Sequence, residues 1–166
     1  MKRRAPLQHA LLLALSVFGA ASCGPDETTP SSLVPSDYAT RFVEVRNCRS
    51  TIEHIATTPQ PMVTNIRVLA SPEAAAGYRM NAARLPVGTV IVKEEYDDPS
   101  CSRASLRAWT VMRKEAAGYD PTHNDWHWQR VRASDSALLA DGRVASCIQC
   151  HNRPACTSRD WQCTEP

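Results

Sequence analysis

The chain has no apolar run long enough to cross a bilayer. Its longest, Leu7 to Phe18, falls short of the roughly 20 residues that a helical span requires. A field of one charge is lacking too: once Lys2, Arg3 and Arg4 are set aside with the leader, the 19 basic residues come almost level with the 17 acidic ones. A near-neutral domain without basic field or acidic tail argues against nucleic acid and against a strongly cationic partner. Nothing in the 166 residues suggests a second domain. A second tight cysteine pair is also missing. The nearest, Cys156 and Cys163, is too widely spaced to complete a four-cysteine zinc site with Cys147 and Cys150.

What is present begins with a leader. Lys2, Arg3 and Arg4 form a positive start, Leu7 to Phe18 a short apolar stretch, and Gly19-Ala20-Ala21-Ser22 the small residues before a cleavage point. Residues 1–22 therefore read as a signal peptide of lipoprotein type, with the Cys23 thiol as the site of a lipid that tethers the protein to a membrane. Ala20 stands where a lipobox usually has leucine, and ordinary cleavage that leaves Cys23 free stays open. Gly24 rather than Asp resembles lipoproteins sent on to the outer membrane, so the expected location is periplasmic. Residues 23–35 are rich in Pro, Thr, Ser and acidic residues and read as a flexible tether. A single domain fills 36–166.

The organising motif is Cys147-Ile148-Gln149-Cys150-His151. C-x-x-C-H is the attachment signature of c-type haem: two thiols add across the vinyl groups and the adjacent imidazole ligates the iron. The expected cofactor is covalently bound haem c, held by Cys147 and Cys150 with His151 on the metal. A zinc site or a disulfide is the competing reading; a thioredoxin-like site expects the pair early in the chain. With Cys23 assigned to lipid and two thiols to haem, Cys48, Cys101, Cys156 and Cys163 remain, and an even remainder in an oxidising compartment predicts two disulfides. Cys48 with Cys101 and Cys156 with Cys163 is the preferred pairing, since the second closes a short loop after the motif and would brace it.

Periodicity supplies the elements. Ser36 caps a helix predicted through Asn47, with Tyr38, Phe42 and Val45 on one face. Val63–Leu69 reads as a strand, and Ser71-Pro72-Glu73 opens a helix that ends near Gly77. Thr89–Tyr96, Leu106–Lys114 and Asp125–Val131 are further strands, the last with Trp126, Trp128 and Arg130 on one face and His127, Gln129 and Val131 on the other. Asp141-Gly142 reads as a turn. The expected fold class is α+β, dominated by an antiparallel sheet, with short helices and a haem site near the C-terminus.

Asn65–Leu69, then Leu85-Pro86-Val87-Gly88-Thr89 running into Lys93-Glu94, then Trp109–Met112, then Asp125–Trp128, then the terminal C-x-x-C-H: in this order the chain resembles the cytochrome P-460 and cytochrome c′-β family over nearly all of its domain. The resemblance implies a periplasmic, dimeric, sheet-rich monohaem protein with five-coordinate iron. One branch cross-links a lysine to the haem and oxidises hydroxylamine, with nitric oxide chemistry; the other binds nitric oxide or carbon monoxide without turnover. By motif order it implies Lys93 as the cross-linking lysine and Arg67 as a distal arginine, a small nitrogen-containing or diatomic ligand, and a redox partner protein. Strand alternation puts Lys93 on the same face as Ile91, so an inward Ile91 brings Lys93 inward; an exposed lysine beside solvated Glu94 and Glu95 is the competing reading. A membrane-tethered electron carrier with two axial ligands remains the alternative. No methionine follows His151, which leaves His54, His123 and, first of these, His127 as sources of a distal imidazole. Glu115 and Asp125 are candidate proton acceptors.

Overall fold

The computed structural model describes residues 31–51 and 65–163. The leader, Cys23, the tether before residue 31 and His54 lie outside the described residues.

Six strands form one antiparallel sheet whose spatial order is the order of the sequence: β1 Val43–Ser50, β2 Asn65–Ala70, β3 Val90–Tyr96, β4 Leu106–Lys114, β5 Trp126–Arg132 and β6 Leu138–Gly142. Four short helices accompany it, α1 Tyr38–Arg41, α2 Pro72–Arg79, α3 Ala145–His151 and α4 Pro154–Thr157. This is the sheet-dominated α+β domain that the alternating β-branched and aromatic runs predict.

Two stretches differ from expectation. Instead of a helix through Asn47, α1 makes a single turn, Phe42 takes an extended backbone, and β1 follows. The stripe of Tyr38, Phe42 and Val45 is divided between the two faces of the sheet. Tyr38 and Phe42 pack with Trp109 on the outer face, and Val45 joins Val68 and Ile91 on the inner one. Val43-Glu44-Val45 already alternates in twos, and Val43 and Glu44 pair with β2 before a register shift at Val45. The second difference is β6, an edge strand where only a turn was expected at Asp141-Gly142. Its half-exposed Leu-Leu-Ala sequence carries no β-branched signal, and pairing with β5 decides its conformation.

α2 also runs past Gly77, which is a packing residue and not a cap: a Cβ there would meet Leu85 Cδ2 at 2.8 Å. Gly88 has the opposite role. At φ +88° it makes the turn that opens β3, where side chains are disfavoured.

Because cross-strand partners share a face, the register sorts side chains into transverse rows. On the inner face one row is Arg46, Val68, Lys93, Thr110 and Arg130; the next is Ala70, Ile91, Met112 and Trp128. α2, α3 and Trp161 of the C-terminal tail pack over this face. Arg67, Glu94, Trp109 and Val131 form a row on the outer face, under α1.

Candidate functional site

The turn of helix carrying the cysteine motif is α3. Cys147, Cys150 and His151 stand at i, i+3 and i+4 and so share one side of it. All three are half-buried, and Cys147 packs against the inner core. Both thiols are free, whereas the other described cysteines are joined as Cys48–Cys101 and Cys156–Cys163. The disulfides follow the preferred pairing and spare the two thiols that the haem motif needs.

His151 is oriented from behind. Its Nδ1 lies 2.6 Å from the carbonyl oxygen of Trp161. A carbonyl can only accept, so Nδ1 carries the proton and the lone pair of the neutral ring sits on Nε2. That is the tautomer of a metal-ligating imidazole, whose other nitrogen donates to a carbonyl or carboxylate. Trp128 packs edge-on against the ring, centroids 4.6 Å apart.

In front of His151 is a cleft of about 430 Å³, counted out to its open mouth. Lys93, Thr110 and Val68 of the polar row, Ile91 and Met112 of the apolar row, Tyr78 of α2, and Gln162 and Cys163 of the tail line it with His151. The residues present fit a haem. The donor set comprises two thiols and a correctly protonated imidazole. Gln162, only 3% exposed, lines the cleft, and its buried amide nitrogen has no hydrogen-bond partner among the described residues. Buried polar groups are seldom left so, which points to an occupant with polar atoms.

Electrostatics follow from burial. The Cys147 thiol is pushed up by burial, with Lys93 and Arg130 pulling it down and Glu95 raising it further. Glu95 is fully buried on the inner face, accepting from the Thr110 hydroxyl and from Arg130 at 2.8 Å.

The sequence-derived candidates are thus only partly brought together. Lys93, on the face of Ile91, and His151 both line the cleft, while Cys147 and Cys150 stand beside His151 on α3, with Cys147 packed against the inner core. Glu94 and Glu95 beside it are both buried, not solvated. Arg67 is not brought to the cleft: on the outer face, its Nε donates to Glu94 at 2.6 Å. The arginines in register with Lys93 are Arg46 and Arg130. His127 is likewise turned outward, its Nδ1 at 3.1 Å from Glu115 and its Nε2 at 2.7 Å from Asp141. His123 contacts Asp120 and the Trp161 ring instead of the cleft. Glu115 is engaged by Arg113 and His127, and Asp125 accepts the backbone N–H groups of Gly118 and Asp120, so neither carboxylate serves the cleft.

Sequence reasoning missed Glu95, Met112 and the tail residues Asp160, Trp161 and Gln162. Glu95 could have been found, since it stands at even spacing from Ile91 and Lys93; Met112 could not, because nothing in Leu106–Lys114 announced which face points inward. The tail could not: Asp160 and Trp161 both adopt positive φ, at +51° and +68°, without a glycine to announce it.

The family model for cytochrome P460 matches residues 35–162, from just before α1 to the cleft residue Gln162. No curated protein matches the chain.

Proposed function

The chain belongs to the cytochrome P460 family and is a haem-binding cytochrome, and from that premise we propose that it is an exported monohaem c-type cytochrome that binds or oxidises small nitrogen species, hydroxylamine and nitric oxide, at a five-coordinate haem. The observation that carries the reading is the His151 Nδ1 to Trp161 carbonyl bond, which readies Nε2 for a metal beside two free thiols. When bound, the haem supplies the coordination position and the electron acceptor.

The chain supplies everything else. Cys147 and Cys150 would hold the group through thioethers, and His151 would ligate its iron. Lys93 brings an amine to the cleft wall, and the resemblance by motif order supports it as the cross-linking lysine. The Thr110 hydroxyl donates to Glu95, so its lone pairs are turned to accept an N–H or O–H from a small cleft ligand. The leader and Cys23 support a lipid-tethered, periplasm-facing location, and family resemblance supports a homodimer served by a redox partner protein.

Expression in a host with cytochrome maturation machinery tests this. The protein is expected to stay red after acid-acetone extraction, to gain the mass of one haem, and to give high-spin five-coordinate spectra in both oxidation states. Colourless protein with two unmodified thiols at Cys147 and Cys150 overturns the reading.

One observation favours a second reading. Met112, 6% exposed, brings a thioether to the same cleft as His151, and histidine with methionine is the ligand pair of electron-carrying cytochromes c. A low-spin ferric spectrum with a sulfur-to-iron charge-transfer band that vanishes in Met112→Ala would establish the carrier in place of the ligand-binding site.

A further inference from the structure

The carbonyl that orients His151 belongs to a turn with no glycine, no regular hydrogen-bond ladder, and two successive residues at positive φ. Something must hold it. Directly before Trp161 stands Asp160, fully buried, and its carboxylate is gripped from several parts of the fold. Lys114 Nζ at the end of β4 lies 2.7 and 2.9 Å from its two oxygens, the Leu85 backbone N–H donates at 2.7 Å, and Asn124 Nδ2 donates at 2.9 Å. Trp126 Nε1 of β5 donates to the Asp160 carbonyl at 2.9 Å, which fixes the plane of the peptide leading into Trp161. Lys114 is itself only 3% exposed and sits 4.7 Å over the Trp126 ring.

A buried lysine–carboxylate pair is a poor way to gain stability, because desolvating both charges offsets most of their attraction. Its use is to fix geometry, and here the geometry it fixes ends on the haem-motif histidine. We propose that the Lys114–Asp160 ion pair is the positioning unit of the axial imidazole, setting the strength of the Nδ1–H to Trp161 hydrogen bond and through it the electron donation of His151 to the iron. The mechanism is the one by which partners of a ligating histidine raise its basicity: a short, aligned bond gives the ring imidazolate character, which strengthens the iron–nitrogen bond and favours the ferric state. The proposal rests on the haem reading above, with His151 as the ligand.

The test compares holoprotein of Lys114→Met, Asp160→Asn and the double variant, which removes both charges and leaves no lone buried ion. The readouts are the iron–histidine stretch of the ferrous protein by resonance Raman and the midpoint potential. The stretch is expected to fall and the potential to rise in all three. Glu94→Gln is the control, a change to another buried carboxylate on the outer face that is expected to lower thermal stability and move neither readout. A double variant with wild-type stretch and potential overturns the proposal, whatever its melting temperature. Protein that carries no haem in any form, wild type included, overturns the haem reading itself.

Discussion

Glu94 and Glu95 are consecutive in β3 and both fully buried, yet they serve opposite faces of the sheet, Glu94 joined to Arg67 on the outer side and Glu95 to Arg130 on the inner. Two carboxylates can be hidden side by side because each has its own guanidinium. Burial pushes the Glu94 carboxyl up, but hydrogen bonds from Arg67, Tyr38 and Tyr96 outweigh it and hold the group below the usual carboxylate range. A depressed folded-state value contributes stability that is complete above the unfolded-state pKa, near 4.3, and is lost as pH falls through the folded value. Glu94→Gln is therefore expected to cost about 3 kcal/mol at pH 7, in the range for breaking a buried pair. Urea unfolding at pH 7 and pH 3 checks it: the gap between variant and wild type should narrow in acid, and an unchanged gap would show that the ionised form of Glu94 is not what stabilises.

The two disulfides should separate stability from function. Cys48–Cys101 spans 53 residues of sequence and Cys156–Cys163 only 7. Loop-closure entropy then assigns about 4 kcal/mol to the first and about 2.5 kcal/mol to the second. Replacing each pair by serines should show this order in denaturant midpoints. The haem spectrum is expected to respond the other way round, because the short loop encloses Trp161, whose carbonyl meets His151, and the long one joins β1 to the loop before β4.

Most of the sheet was legible because its strands carry a period-two pattern strong enough to survive without tertiary context: Thr89–Tyr96 and Leu106–Lys114 were placed to within a residue of β3 and β4. The C-x-x-C-H motif was conspicuous for a different reason, since three reactive residues at fixed offsets point to one chemistry locally, and the fold sets them together on one side of α3. What failed depended on distant partners. Val43–Ser50 becomes strand only because β2 lies beside it, and Leu138–Gly142 only because β5 does. Arg67 was assigned by motif order, but order does not say which face of a strand a residue meets, and one step along β2 separates Arg67 from the cleft residue Val68. The Asp160–Trp161 turn is legible nowhere in the sequence, being held by Lys114, Leu85, Asn124 and Trp126 from four places in the chain.

His127 offers a clean negative. Its ring is stacked on Tyr119, centroids 5.4 Å apart, and both nitrogens face carboxylates on the side of the sheet away from the cleft. His127→Gln should leave the ferric and ferrous spectra unchanged and cost about 1–2 kcal/mol, the scale of one or two hydrogen bonds at a half-buried site. A change of spin state in that variant would place an imidazole on the iron that the register of β5 forbids.

Lys93 is the sharper case, because its place in the cleft is compatible with two quite different chemistries. If its amine is bonded to the macrocycle, proteolysis of the holoprotein will yield the Lys93 peptide and the Cys147–His151 peptide joined through one haem, and Lys93→Met will release the first while keeping the second. The same variant should lower hydroxylamine turnover at least tenfold, about 1.4 kcal/mol on the barrier, and Lys93→Arg should not restore it, since a guanidinium retains the charge but is not the nucleophilic amine. If Lys93 acts through its charge alone, Lys93→Arg will recover what Lys93→Met loses and no joined peptide will be found. The protein would then be a binder of nitric oxide without turnover, its cleft made polar by Lys93 and Thr110.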